Sequence, residues 1–240
     1  MGIFSNLFKT ETKTNDKSST VAQIDSILEE HKNNLDTVTI SLTKKTGIDY
    51  STLKSRVKLV LDYSGSMNSL YSNGTVQKVI TQLFPFALKF DDDGELECYL
   101  FSNGHKEITP CNLTNYSDYV KKVIYNSGFS MGGTEYAPVL KAIHKKVQND
   151  VPDFIIYITD GDNSDKSETN KIIREMSTDN CFIMFVGIGS ASFSYLEKLD
   201  NLSNRPIDNT GFVKFTNIAN TDDKTMYTEL LTEYSGWLNR

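Results

Sequence analysis

Five runs of mostly apolar residues punctuate the chain: VKLVL (57–61), LECYLF (96–101), FIIYI (154–158), CFIMFVGI (181–188) and FVKF (212–215). Runs of this length bounded by polar turns read as strands buried on both faces. Between them apolar residues recur every three or four positions: Val76, Val79, Ile80, Leu83 and Ala87; Tyr119, Val120, Val123 and Ile124; Val139, Leu140, Ile143 and Val147; Ile172, Ile173 and Met176; Tyr227, Leu230, Leu231, Tyr234 and Leu238. That spacing predicts helices with one apolar face. Ser194 and Glu197 have the spacing of a capping box opening a further helix, and Pro85 predicts a kink or interruption in the first one. Strands alternating with helices predict an α/β fold, a doubly wound and mostly parallel sheet covered on both faces.

The segment ahead of Arg56 follows other rules. Ile3, Phe4, Leu7 and Phe8 could form one sticky helical turn, offering at most peripheral contact with a partner or a membrane surface. Lys9 to Thr20 is polar and reads as a linker. Val21, Ile24, Ile27 and Leu28 predict a short helix to about His31, whereas Thr37 to Thr43 alternates strictly, with Val38, Ile40 and Leu42 on one side. Alternation of that kind predicts a half-buried edge strand. The expected organisation is a flexible tail (1–20), a helix and edge strand packed on the domain (21–54), and the domain itself (55–240).

Composition narrows the classes. The chain has 240 residues and a net charge of −6, and its basic residues are dispersed, which argues against nucleic acid as a partner. Cys98, Cys111 and Cys181 stand far apart, with neither a disulfide framework nor a zinc-knuckle spacing, so a reducing cytoplasm is the expected location. The N-terminal apolar stretch is too short for a signal peptide or a membrane span, and Asn6 breaks the myristoylation pattern.

Candidate chemistry gathers at two strand ends. Asp62 directly follows VKLVL, and Asp160 directly follows FIIYIT. In open parallel sheets functional groups collect beyond the carboxyl ends of the strands, so both carboxylates should emerge at one edge. Ser64 and Ser66, alternating in the turn after Asp62, add two hydroxyls, and the Gly132-Gly133 turn presents Thr134 just before a helix. Carboxylates and hydroxyls are the donors a hard divalent cation prefers; thiolate or imidazole sets would indicate zinc or copper.

These residues resemble the von Willebrand factor A domain with its metal-ion-dependent adhesion site, a motif of Asp-x-Ser-x-Ser, a separate Thr, and an Asp followed by Gly. Asp62-Tyr63-Ser64-Gly65-Ser66, Thr134 and Asp160-Gly161 match in type and order. The resemblance implies a Rossmann-like sheet and one divalent cation, with magnesium first and manganese or calcium as alternatives. It further implies that Ser64, Ser66 and Thr134 bind through their hydroxyls, and that Asp62 and Asp160 act partly through water. An open position would then accept a carboxylate from a protein partner. The stretches LVLDYSGSM, MGGTEYAPVLKAI, YITDGDNSD and SYLEKLD, with SLTKKTGI upstream, are similar to the bacterial tellurium-resistance, or toxic-cation-resistance, group of these domains. That similarity implies a cytoplasmic interaction module in a stress-resistance system, acting with other tellurium-resistance proteins. Some members carry a stress-protein domain ahead of the A domain, so the expected partner here is supplied in trans.

Other readings are weaker on the same residues. A magnesium-dependent phosphoryl-transfer enzyme using Asp62 as nucleophile would need an acid two positions later, where Ser64 stands. A cation buffer would need more than one five-oxygen site. Asp91 to Gly94 and Asp160 to Asp165 fail the EF-hand spacing, the former reading as a solvated turn and the extra acids of the latter as the rim of the site. Gly187-Ile188-Gly189 lacks the last glycine of a dinucleotide-binding turn. His31, His105 and His144 are isolated and read as surface residues.

Overall fold

A computed structural model describes the backbone of residues 12–240 and the side chains from Ala22 onward. The apolar turn at Ile3 to Phe8 lies outside the described residues. The strands are β1 (Arg56–Asp62), β2 (Leu96–Phe101), β3 (His105–Cys111), β4 (Asp153–Thr159), β5 (Cys181–Ile188) and β6 (Thr210–Phe215). The helices are α1 (Thr12–Thr46), α2 (Asn68–Ser72), α3 (Thr75–Phe90), α4 (Ala137–His144), α5 (Lys166–Met176), α6 (Ser194–Asp200) and α7 (Asp223–Leu238).

The sheet order is β3-β2-β1-β4-β5-β6, parallel throughout except for β3, which pairs antiparallel with β2. Alternate residues of each strand feed two cores. Val57, Leu59, Leu61 and Phe154 face the layer of α1, α3 and α7, whereas Val60, Ile155 and Tyr157 face α4, α5 and α6. This is the doubly wound arrangement that the strand–helix alternation predicts. The chain leaves β1 for β2 on one side and later returns to β4 on the other, so the switch point lies between the carboxyl ends of β1 and β4.

Several expectations fail, each for a physical reason. The predicted edge strand at 37–43 and, from Thr12 onward, the predicted linker Lys9 to Thr20 belong to α1. Leu28, Leu35, Val38 and Leu42, at helical spacing, are the buried apolar residues among the described side chains of this helix, and Ile40, the middle of the apparent strand face, is 59% exposed. The threonines fit a helix because Thr37, Thr43 and Thr46 donate their hydroxyls to the carbonyls four residues earlier, each at 2.9 Å. Gly47, at φ 77°, ends the helix in the left-handed conformation. Helix α1 lies against α3 and α7. Asp223 at the start of α7 ties the three together, with Asn34 Nδ2 at 2.9 Å, Gln82 Nε2 at 3.0 Å and His31 Nδ1 at 2.6 Å.

His31 is therefore a partly buried partner of Asp223 rather than a surface residue, and His144 Nε2 lies 2.8 Å from Asp179. Strand β3 escapes the sequence reading because HKEITPC lacks an apolar run; only Ile108 and Cys111 are buried, as befits an edge. Helix α3 runs through Pro85 to Phe90 without interruption. Ser194 sits inside α6, with Phe193 at the cap and no side-chain capping bond, so the capping box does not form.

Candidate metal centre

Asp62 ends β1 with its side chain wholly buried. The turn that follows folds back on it: Oδ1 accepts the Ser64 amide at 2.8 Å, and Oδ2 accepts the Thr159 hydroxyl at 2.6 Å. The Tyr71 hydroxyl donates to the Asp62 carbonyl at 2.9 Å and pins the backbone. Ser64 stays extended, and a single 3-10 turn over Gly65–Met67 then brings Ser66 round to the same side. The Ser64 and Ser66 hydroxyl oxygens lie 3.0 Å apart, and Ser66 donates to Asp160 Oδ1 at 2.9 Å. Four of the five residues singled out in the sequence thus form a continuous chain of contacts, Asp62–Ser64–Ser66–Asp160.

Thr134 enters by way of its backbone. Ser64 forms an isolated bridge with Gly132, and the Gly65 amide donates to the Gly132 carbonyl at 3.0 Å. On its other side the Thr134 carbonyl accepts the Ser164 amide at 2.9 Å, which joins it to the loop that carries Asp160. The threonine is clamped between the two carboxylate loops through its main chain, which leaves the hydroxyl available to a ligand.

Three residues outside the expected ligand set build this clamp. The Asn103 Oδ1 accepts the Gly133 amide at 2.6 Å, and a Cβ on Gly132 would stand only 2.3 Å from that oxygen. A side chain at either glycine would push the Asn103 amide out of this contact. Ser102 accepts the Glu135 amide at 2.8 Å through its carbonyl. Asp165, expected merely at the rim, accepts the amides of Tyr136 and Ala137 at 2.9 and 2.8 Å and so caps α4. Behind the site, Tyr136 bonds Thr159 Oγ1 at 3.2 Å and packs in an aromatic layer with Phe101, Tyr157 and Phe185. Thr159 was visible in the sequence as the neighbour of Asp160; Asn103 carried no such signal.

Burial pushes the Asp62 carboxyl up to about 6, against the lowering effect of its bonds from Ser64 and Thr159, and the nearby Asp160 raises it further. Two carboxylates converge here, yet the ion pairs of the described residues lie elsewhere, such as Lys166 with Asp162 at 2.7 Å. A buried acid that lacks a counter-ion is held at a cost that a cation would remove. The donors are hydroxyls and carboxylates, and among the described residues no group of three His, Cys, Asp or Glu is placed to hold a metal ion by such side chains alone. The set therefore fits a hard divalent cation.

An open, mostly parallel sheet with an aspartate–hydroxyl loop at its switch point is the architecture of von Willebrand factor A domains. Within that class the chain belongs to the family described as the vWA domain found in the TerF C terminus, which residues 54–240 match. It is 37% identical over 207 residues to the uncharacterized protein YcbR of Bacillus subtilis (strain 168), covering 84% of this chain and 83% of that protein. Among solved structures, proximal thread matrix protein 1 from the mussel byssus matches with a TM-score of 0.56 at 15% identity, over 75% of this chain and 47% of the other. The chain thus spans about half the length of that mussel protein. The manganese-loaded TRAP protein of Plasmodium vivax matches with a TM-score of 0.51 at 15% identity, over 78% of this chain and 75% of the other. Likeness at such low identity shows the shared fold.

Proposed function

We propose that the domain is a metal-dependent protein-interaction module that takes one divalent cation at the switch point. Ser64, Ser66 and Thr134 offer it hydroxyl oxygens, and Asp62 and Asp160 offer carboxylates directly or through water. When bound, the ion supplies an electrophilic position at which a carboxylate of a protein partner becomes a ligand. Asp62 anchors the loop through the Ser64 amide and the Thr159 hydroxyl, so the two serines are preorganised before any ion arrives. The observation that carries this reading is the contact chain Asp62–Ser64–Ser66–Asp160, built around a buried acid with no ion-pair partner among the described residues.

Magnesium is the proposed occupant, in keeping with the all-oxygen donor set; manganese occupies the TRAP protein of similar fold. The family's description supports a place in a bacterial tellurite or toxic-cation stress-resistance system. The three free cysteines are all buried, in keeping with the proposed cytoplasmic location. No described helix is long and apolar enough to cross a membrane. An interaction role is preferred to phosphoryl transfer because Ser64 stands where a second acid would have to shuttle the proton, and its amide is committed to Asp62.

Calorimetric titration of the chelator-stripped protein with magnesium, manganese and calcium tests the reading. One saturable site is expected, abolished in Asp62→Ala while the circular dichroism spectrum is retained. Unchanged ion affinity in that variant would overturn the assignment.

A further inference from the structure

The two flanks of the metal centre differ in charge. On the α5 side, the Asp162 carboxylate is paired with Lys166 at 2.7 Å. The opposite flank is formed by the start of β3 and by the π-helical turn Val120–Ile124 with the loop after it. It carries Lys106, Lys121 and Lys122, all exposed. Lys106 reaches across to the Ser127 carbonyl and so belongs to the same surface as the loop. Lys122 has only a distant acidic neighbour, Asp118 at 3.8 Å, and no acid among the described residues pairs with Lys121.

The same flank is apolar at its centre. Tyr125, one turn beyond Lys121, is 50% exposed, one of the few large apolar side chains so open among the described residues. Phe129 is half-buried and stacks on Tyr63, with ring centroids 6.2 Å apart. Tyr63 itself is buried and stands between Asp62 and Ser64 in the chain, so Phe129 packs on a residue of the metal loop.

A chain of net charge −6 repels an acidic partner at long range, yet here lysines gather on one side of a centre that needs an incoming carboxylate. We propose that this flank is a docking surface for an acidic segment of a partner protein. One of its carboxylates reaches the ion, its neighbouring acids lie over Lys106, Lys121 and Lys122, and an aromatic or large apolar residue rests on Tyr125 and Phe129. The proposal rests on the metal-dependent reading above and adds the partner's chemistry and direction of approach. Aromatic anchors beside a charged rim are the usual division of labour at interfaces, with the anchor holding the complex and the rim steering it.

The test uses two labelled probes, poly-L-glutamate and a random glutamate–tyrosine copolymer, followed by fluorescence anisotropy in magnesium and in excess chelator. The copolymer is expected to bind more tightly than poly-L-glutamate in magnesium, and both are expected to weaken in chelator. The double variant Lys121→Glu/Lys122→Glu should lose about tenfold in affinity for both probes and show a shallower salt dependence. Tyr125→Ala should lose about fivefold for the copolymer alone. Magnesium affinity, measured by calorimetry without a probe, should be unchanged in both; Lys121→Ala with Lys122→Ala repeats the test without charge reversal. Probe binding that the lysine and tyrosine variants leave unchanged, with magnesium affinity intact, would overturn the docking surface while the metal reading survives. Binding lost in the lysine variants but indifferent to chelator and to Asp62→Ala would instead overturn the metal reading and, with it, the proposed path of the acid to the ion.

Discussion

Two aspartates lie fully buried at opposite edges of the sheet, and the chain treats them differently. Asp153, at the start of β4, meets Lys58 Nζ at 2.8 Å, and each side chain is 1% exposed. Glu97 stands 3.4 Å from the same amine. The cleft of about 450 Å³ at that edge is likewise neutralised from within, Arg56 by Asp150 and Lys146 by Glu107. Asp62, at the end of β1, is surrounded by hydroxyls and amides instead. One edge supplies its own cation and is electrostatically closed. The other supplies no cation of its own among the described residues, as the proposed ion site requires.

The comparison is broken most severely at the closed edge. Lys58→Met should strand Asp153, whose Oδ2 already lacks a hydrogen-bond partner, and lower stability by about 3–5 kcal/mol in urea denaturation. Adding Asp153→Leu should recover much of that loss, since an apolar pair needs no compensation. At the open edge Asp62→Asn should shift metal-free stability by no more than about 1 kcal/mol, because no partner charge is orphaned, while removing ion binding. A collapse of the metal-free Asp62→Asn protein would mean that the two edges are alike after all.

A smaller effect sharpens the same contrast. Thr159→Val removes the hydroxyl that fixes Asp62 Oδ2 and should weaken the proposed ion binding about 10- to 100-fold in calorimetry. Stability should move little compared with Lys58→Met.

The smallest effect concerns a third acid. Asp200, pushed up to about 6 by burial and by the nearby Glu233 and Asp208, has only Arg205 to lower it. Its folded value exceeds the unfolded one, so the folded state binds the extra proton between about pH 4 and 6. The penalty is fully present above pH 6 and disappears as the pH falls toward 4. Asp200→Asn should therefore raise stability at pH 7.5 by less than about 1 kcal/mol, the group being partly solvated, and the gain should vanish near pH 4. Urea midpoints at the two pH values measure it.

The open edge was far more legible in the sequence than the closed one. Asp62, Ser64, Ser66 and Asp160 could be selected because an apolar run ends at each carboxylate and the serines alternate in a turn, and the structure brings these four into contact. Lys58 gave no such signal: inside VKLVL it looks like a lapse in an apolar run, and its meaning depends on Asp153, 95 residues away. Asn103 was equally silent, and Asp165 read only as part of the rim, since each acts by accepting amides from a distant loop.

The sequence by itself determined what depends on neighbouring residues: which runs are strands, that helices alternate with them, and that two carboxylates and their hydroxyls sit at strand ends. Only the tertiary structure decided where local signals compete. Thr37 to Thr43 satisfies a strand's alternation, but Val38 and Leu42 continue the stripe begun by Leu28 and Leu35. Burying that stripe against α3 and α7, with Asp223 joining the three helices, outweighs the preference of β-branched residues for extended backbone. Packing energy is shared with partners far along the chain, and no window of sequence contains it.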